Sequence, residues 1–138
     1  AVAFHGYARG TKDLDILIRS TPENILRVLA ALKDFGFGSL GLKEADFIGD
    51  NVIQLGYPPN RVDLLSGISG VDAETVWKTR VKGTYQGLPA CFISRDCLLE
   101  NKRAADRGQD RLDVQKLDEQ ARLGRRKNVY GKTRRAPK

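Results

Sequence analysis

The chain has 138 residues, 41% hydrophobic and 30% charged, which is ordinary for a globular domain able to bury a core. No run approaches the roughly 18 apolar residues of a membrane span, no secretory signal pattern opens the chain, and a single histidine, His5, leaves no basis for a histidine metal site or a Ser-His-Asp triad. The net charge of +7 is concentrated in residues 122–138, which hold eight cations and no acid; the first 121 residues carry sixteen cations against seventeen acids.

The segment 6–18, Gly-Tyr-Ala-Arg-Gly-Thr-Lys-Asp-Leu-Asp-Ile-Leu-Ile, is the first informative one. A loop with two glycines and two cations leads into an apolar strand expected over residues 13–19. Strand side chains alternate, so Asp13 and Asp15 share one face, roughly 6.5 Å apart, and Leu14 and Ile16 are expected to face a core. Neighbouring anions on a strand repel each other. Either they are a solvated strand start, or a divalent cation such as Mg²⁺ turns the repulsion into binding. Arg9 and Lys12 flank the pair. They either neutralise it or hold phosphate oxygens, Arg9 through a two-pronged guanidinium and Lys12 as a point charge, with Thr11 supporting the loop.

Next, Ser20-Thr21-Pro22-Glu23 combines an N-cap, an early helical proline and a glutamate at capping-box spacing. Ile25, Val28, Leu29, Leu32 and Phe35 follow on one helical face, a core stripe that Gly36 and Gly38 should end. Residues 39–50 are glycine-rich, with a short helical turn expected at 43–46. Residues 51–57 and 61–65 form an antiparallel hairpin, because the connection is too short for a parallel crossover. Within it Asp63 is a single acid among apolar residues. Such a carboxylate is paired or metal-bound; Arg61 on the same face offers the simple ion pair. If this strand neighbours the first, Asp13, Asp15 and Asp63 converge, as two-metal phosphoryl transfer requires.

A helix over 72–80 should seat Trp77, and strands over 81–86 and 89–93 turn around Gly87. Cys91 and Cys97 belong to no metal-ligand cluster, and the expectation is two buried, reduced thiols in a cytoplasmic protein. Ser94 caps a helix to about 106, Arg107-Gly108 breaks it, and a second helix runs to about 123. Lys102 with Asp106, and Gln109 with Asp113, have i,i+4 spacing for a structural polar network. Residues 122–138 are then a basic, disordered arm, either a solvated tail or a contact for nucleic acid. The layout is an α+β fold: a mixed, largely antiparallel sheet with helices packed on one face.

Phe4-His5-Gly6, Arg9, Thr11-Lys12-Asp13-Leu14-Asp15-Ile16, Val62-Asp63-Leu64-Leu65 and the late segment Lys102 to Arg107 with Asp110 and Asp113 resemble the nucleotidyltransferase superfamily with the DNA polymerase β-like fold. The likeness is greatest to its small bacterial minimal and abortive-infection-type branch. The resemblance implies that Asp13, Asp15 and Asp63 bind Mg²⁺ (or Mn²⁺) escorting a nucleoside triphosphate (NTP), with Arg9, Thr11 and Lys12 near its phosphates. A nucleoside monophosphate would then pass to an acceptor, with Asp63 helping to deprotonate it. Relatives carry a Gly-Gly or Gly-Ser pair ahead of the acids, and no such pair stands upstream of Phe4. The rival expectation is therefore a non-catalytic member of the scaffold that binds nucleic acid or a protein partner, as in a toxin–antitoxin or phage-defence pair.

Overall fold

A computed structural model describes residues 1–131, with side chains described to Arg125. The chain folds as two compact units, one of residues 10–80 and one of residues 1–9 with the segment from Val81 onward. Together they hold helices and two small sheets, an α+β fold.

In the 10–80 unit, strands β1 (Asp13–Leu17), β2 (Val52–Leu55) and β3 (Arg61–Leu65) form a sheet in the order β1-β3-β2. β3 runs parallel to β1 and antiparallel to β2, so the sheet is mixed and the expected hairpin is present. Helix α1 (Pro22–Leu32) begins in the signalled segment with Pro22 in its first turn, but the cap is Thr21 rather than Ser20: Thr21 accepts from the Asn24 amide, so Glu23 falls one position short of the capping-box place. α1 lays Ile25, Val28, Leu29 and Leu32 on a cluster with Ile18, Leu55 and Leu64.

Two expectations for this core fail. Phe35 is 84% exposed, because the α-helical period stops at Leu32 and a wider π turn follows (Lys33–Phe37), with Gly36 at φ 95°. Phe37 packs against the cluster in its place. Leu14 and Ile16 stay 37% and 40% exposed, because the buried cluster draws on β2, β3 and α1 and does not reach them. The 3-10 turn Glu44–Phe47 delivers Phe47, fully buried, to the middle of that cluster. Helix α2 (Ala73–Thr79) is capped by Asp72, and Trp77 lies under the Arg80 guanidinium, 3.9 Å from the ring centroid.

The other unit holds the ribbon β4 (Val81–Tyr85) and β5 (Leu88–Phe92), a two-stranded sheet of its own rather than an extension of the first. Helix α3 (Arg95–Ala105) is capped by Ser94, and α4 (Gly108–Gly131) follows. Val2, Leu98, Leu99 and Leu117 form the core. Phe4 stacks on Phe92 at 4.0 Å, and His5 Nε2 donates to the Ile93 carbonyl at 2.7 Å. Cys97 is buried, but Cys91 is exposed, correcting the expectation of two buried thiols; neither forms a disulfide. Side chains alternate along the two-stranded ribbon, and Cys91 falls on its open side.

Where a helix end near 123 is expected, α4 continues to Gly131. Residues 122–131 of the basic segment are thus helical, and 132–138 lie outside the described residues.

Candidate metal centre

Strand register brings the three acids together. Asp13 stands beside Arg61 and Asp15 beside Asp63 across the parallel β1–β3 pair, so all four share the face opposite the core. One carboxylate oxygen from each of Asp13, Asp15 and Asp63 lies within 4.8 Å of the others. Asp63, on the central strand, is buried, Asp13 is half-buried and Asp15 is exposed, giving a cluster open on one side. Acids directly opposite each other on neighbouring strands are destabilising unless compensated.

Part of that compensation is Arg61. Its Nη2 donates to Asp13 Oδ2 at 2.5 Å and to Asp63 Oδ2 at 3.0 Å, linking the two strands. The hydrogen bond to Asp63, with the charges of Asp63 and Asp13, holds the guanidinium pKa above its usual value against the opposing effect of desolvation. The Arg61–Asp63 pair was legible from the shared strand face. The bond to Asp13 was not, because it depends on which strand lies beside β3.

Asp63 Oδ1 lies 2.9 Å from Arg61 Nε, yet both atoms are buried and neither makes a hydrogen bond among the described residues. The contact is one of charge without alignment. A buried carboxylate oxygen left without a hydrogen bond, within a set of purely carboxylate donors, suits a hard cation such as Mg²⁺ or Mn²⁺. The oxygens are close enough to share one ion or to bridge two about 4 Å apart. The residues therefore fit a metal ion, beside a guanidinium, Arg61, that already holds two of the three acids.

The expected phosphate contacts separate. Thr11 Oγ1 shares its hydroxyl between Asp13 Oδ1 and the Asp13 carbonyl, each at 3.0 Å, so it steadies the first acid. Lys12 is exposed at the strand entrance. Arg9 belongs to the other unit, where its Nε and Nη2 each donate to Asp113 at 2.8 Å.

Asp113 is the centre of a second ionic group. It also accepts from Gln109 at 3.0 Å and meets Lys102 Nζ at 2.9 Å; Lys102 reaches Asp110 as well, at 2.8 Å. The Gln109–Asp113 pair is the one expected from helical spacing. Lys102 instead turns away from Asp106, which pairs with Arg111 at 3.5 Å. Burial alone would push the Asp110 and Asp113 carboxyls up, but hydrogen bonds and nearby cations win and hold both below the usual carboxylate range. Asp110 also caps α4 by accepting from the Arg107 amide. With every carboxylate here satisfied by cations, this group is suited to holding α3 against α4.

No helix among the described residues is long and apolar enough to cross a membrane. Compared with known proteins, the chain matches no family model, no curated protein and no solved structure.

Proposed function

We propose that the chain is a metal-dependent nucleotidyltransferase that takes a nucleoside triphosphate and moves its nucleoside monophosphate to an acceptor in a cytoplasmic setting. The observation that supports this reading most is the convergence of Asp13, Asp15 and Asp63 on one open face of adjacent strands. Bound there, Mg²⁺ or Mn²⁺ would neutralise phosphate charge and polarise the attacked phosphorus.

The chain's own residues set the geometry. Asp13 and Asp15 would hold one ion together, their spacing fixed by the strand repeat. Asp63, on the neighbouring strand, would accept the proton of an incoming acceptor hydroxyl. Thr11 fixes the Asp13 carboxylate, and exposed Lys12 can meet phosphate oxygens at the mouth. Apart from Asp63 the work is positioning and charge stabilisation, which is what phosphoryl transfer mostly needs.

Pyrophosphate release from a panel of four nucleoside triphosphates tests the reading. It should require a divalent ion and should vanish in both Asp13→Asn and Asp63→Asn, while their melting temperatures stay within a few degrees of wild type. Release that persists in these variants refutes the assignment.

One observation favours a second reading, a non-catalytic scaffold that binds a protein or nucleic acid partner. Arg61 already compensates two of the three acids. If that is its permanent role, Arg61→Gln gains no metal affinity and loses stability. If Arg61 competes with the metal, the same substitution raises Mn²⁺ affinity severalfold.

A further inference from the structure

We infer that the C-terminal half of α4 is a binding element for double-stranded nucleic acid that grips the phosphate backbone through a helix. This goes beyond the triphosphate reading and does not depend on it.

The helix changes character along its length. Its first half is bound into its unit: Asp110, Asp113 and Leu117 are essentially inaccessible to solvent. From Arg122 to Arg125 every side chain is exposed, Leu123 at 51%, although the backbone remains helical to Gly131. A helical segment with no packed face must be held by the helix it continues. Its composition changes at the same point. After Glu119 the chain contains no further acid, and Arg122, Arg125, Arg126 and Lys127 fall within two turns. Four cations so close repel one another, and a polyanion relieves that repulsion.

The alternatives fit less well. An interfacial membrane helix needs a broad apolar face opposite its cations, whereas residues 122–131 offer only Leu123, Val129 and Tyr130. Single strands are held largely by stacking on several aromatic side chains, and residues 122–131 carry a single one, Tyr130. Spaced cations with so few stacking groups instead suit the regular phosphate rows of a duplex.

Gly124 provides a test of whether the helix itself is the binding form. Its Cβ position is open, with no atom within 4 Å and no positive φ, so Gly124→Ala is sterically free. Alanine favours helix over glycine by enough to raise the affinity of a helix-dependent interaction by up to about fivefold.

The experiment is fluorescence anisotropy on the full chain with a labelled 20-base-pair duplex, in RNA and DNA forms, from 50 to 200 mM salt with chelator present. Four phosphate contacts predict a loss of affinity of about a hundredfold over that range. Arg122→Gln with Arg125→Gln should flatten the log–log salt slope by about 2 without moving the melting temperature, and Gly124→Ala should tighten binding. An unchanged slope in the arginine variant overturns the proposal, as does tighter binding to a single strand or to anionic vesicles than to the duplex. If Gly124→Ala weakens binding, the helix is not the binding form. Because binding is measured in chelator, this result and the fate of the metal site are read separately.

Discussion

Removing the Asp113 carboxylate should cost its unit more stability than any other single charge deletion in the protein. Its side chain is fully buried and receives two Arg9 nitrogens at 2.8 Å, Lys102 at 2.9 Å and Gln109 at 3.0 Å. Deleting one partner of a buried ionic group costs about 3–5 kcal/mol, because the surviving charges are left desolvated. Two features place Asp113→Ala at the lower end, at about 3 kcal/mol. Lys102 keeps Asp110 at 2.8 Å, and the Arg9 side chain is 28% exposed, so water can partly replace the lost acceptor. For a chain of this size that is a fall in melting temperature of about 10 °C. Asp113→Asn keeps the shape and one acceptor oxygen and should lose roughly half as much. The assay is thermal unfolding followed by circular dichroism at pH 7, repeated in 1 M NaCl. Buried pairs are screened little by salt, so the loss should persist there. A shift under about 2 °C, or one that disappears in high salt, would show that the group is an ordinary surface pair and refute the reasoning.

Acid should loosen the same unit. The Asp110 and Asp113 carboxyls titrate below their unfolded values, so their contribution is complete above about pH 4 and fades as pH falls from there through the folded values. A pH series of melts should show a steeper loss below pH 4 for wild type than for Asp113→Asn, and parallel curves would contradict it. Gly83→Ala should destabilise by about 1–3 kcal/mol, since its methyl would meet the Phe4 ring at 2.6 Å and Phe92 at 3.2 Å; an unshifted melt would mean that the Phe4–Phe92 stack moves aside freely. Of the two thiols, exposed Cys91 should react with a disulfide reagent in the native state, and buried Cys97 only on unfolding. Two fast equivalents in the native state would contradict the burial of Cys97.

The sequence was most legible where local chemistry decides the outcome. Ser94 caps its helix as its residue type and position suggest, Pro22 occupies the first turn of α1, and the hairpin of β2 and β3 follows from its short connection. Legibility failed where tertiary context intervened. Phe35 fits a period of 3.6, but the turn type changes one residue after Leu32, so the ring is exposed. Phe47 lies in a stretch with no periodicity to reveal it, yet it sits at the middle of the core. Of the site, the shared face of Asp13 and Asp15 came from the strand repeat, whereas its closure by Asp63 and Arg61 needed the β1–β3 register. Arg9 shows the limit from the other side: a cation beside two acids in sequence spends its guanidinium on Asp113, more than a hundred residues away.

Calorimetric titration of a nucleoside triphosphate, with Mg²⁺ and then with chelator, on wild type and Asp13→Asn, tests the three-acid centre most directly. The convergence of Asp13, Asp15 and Asp63 predicts binding that requires both the ion and the Asp13 carboxylate. No heat at millimolar nucleotide, or equal binding in chelator, would mean that the acids serve only to anchor Arg61 between two strands.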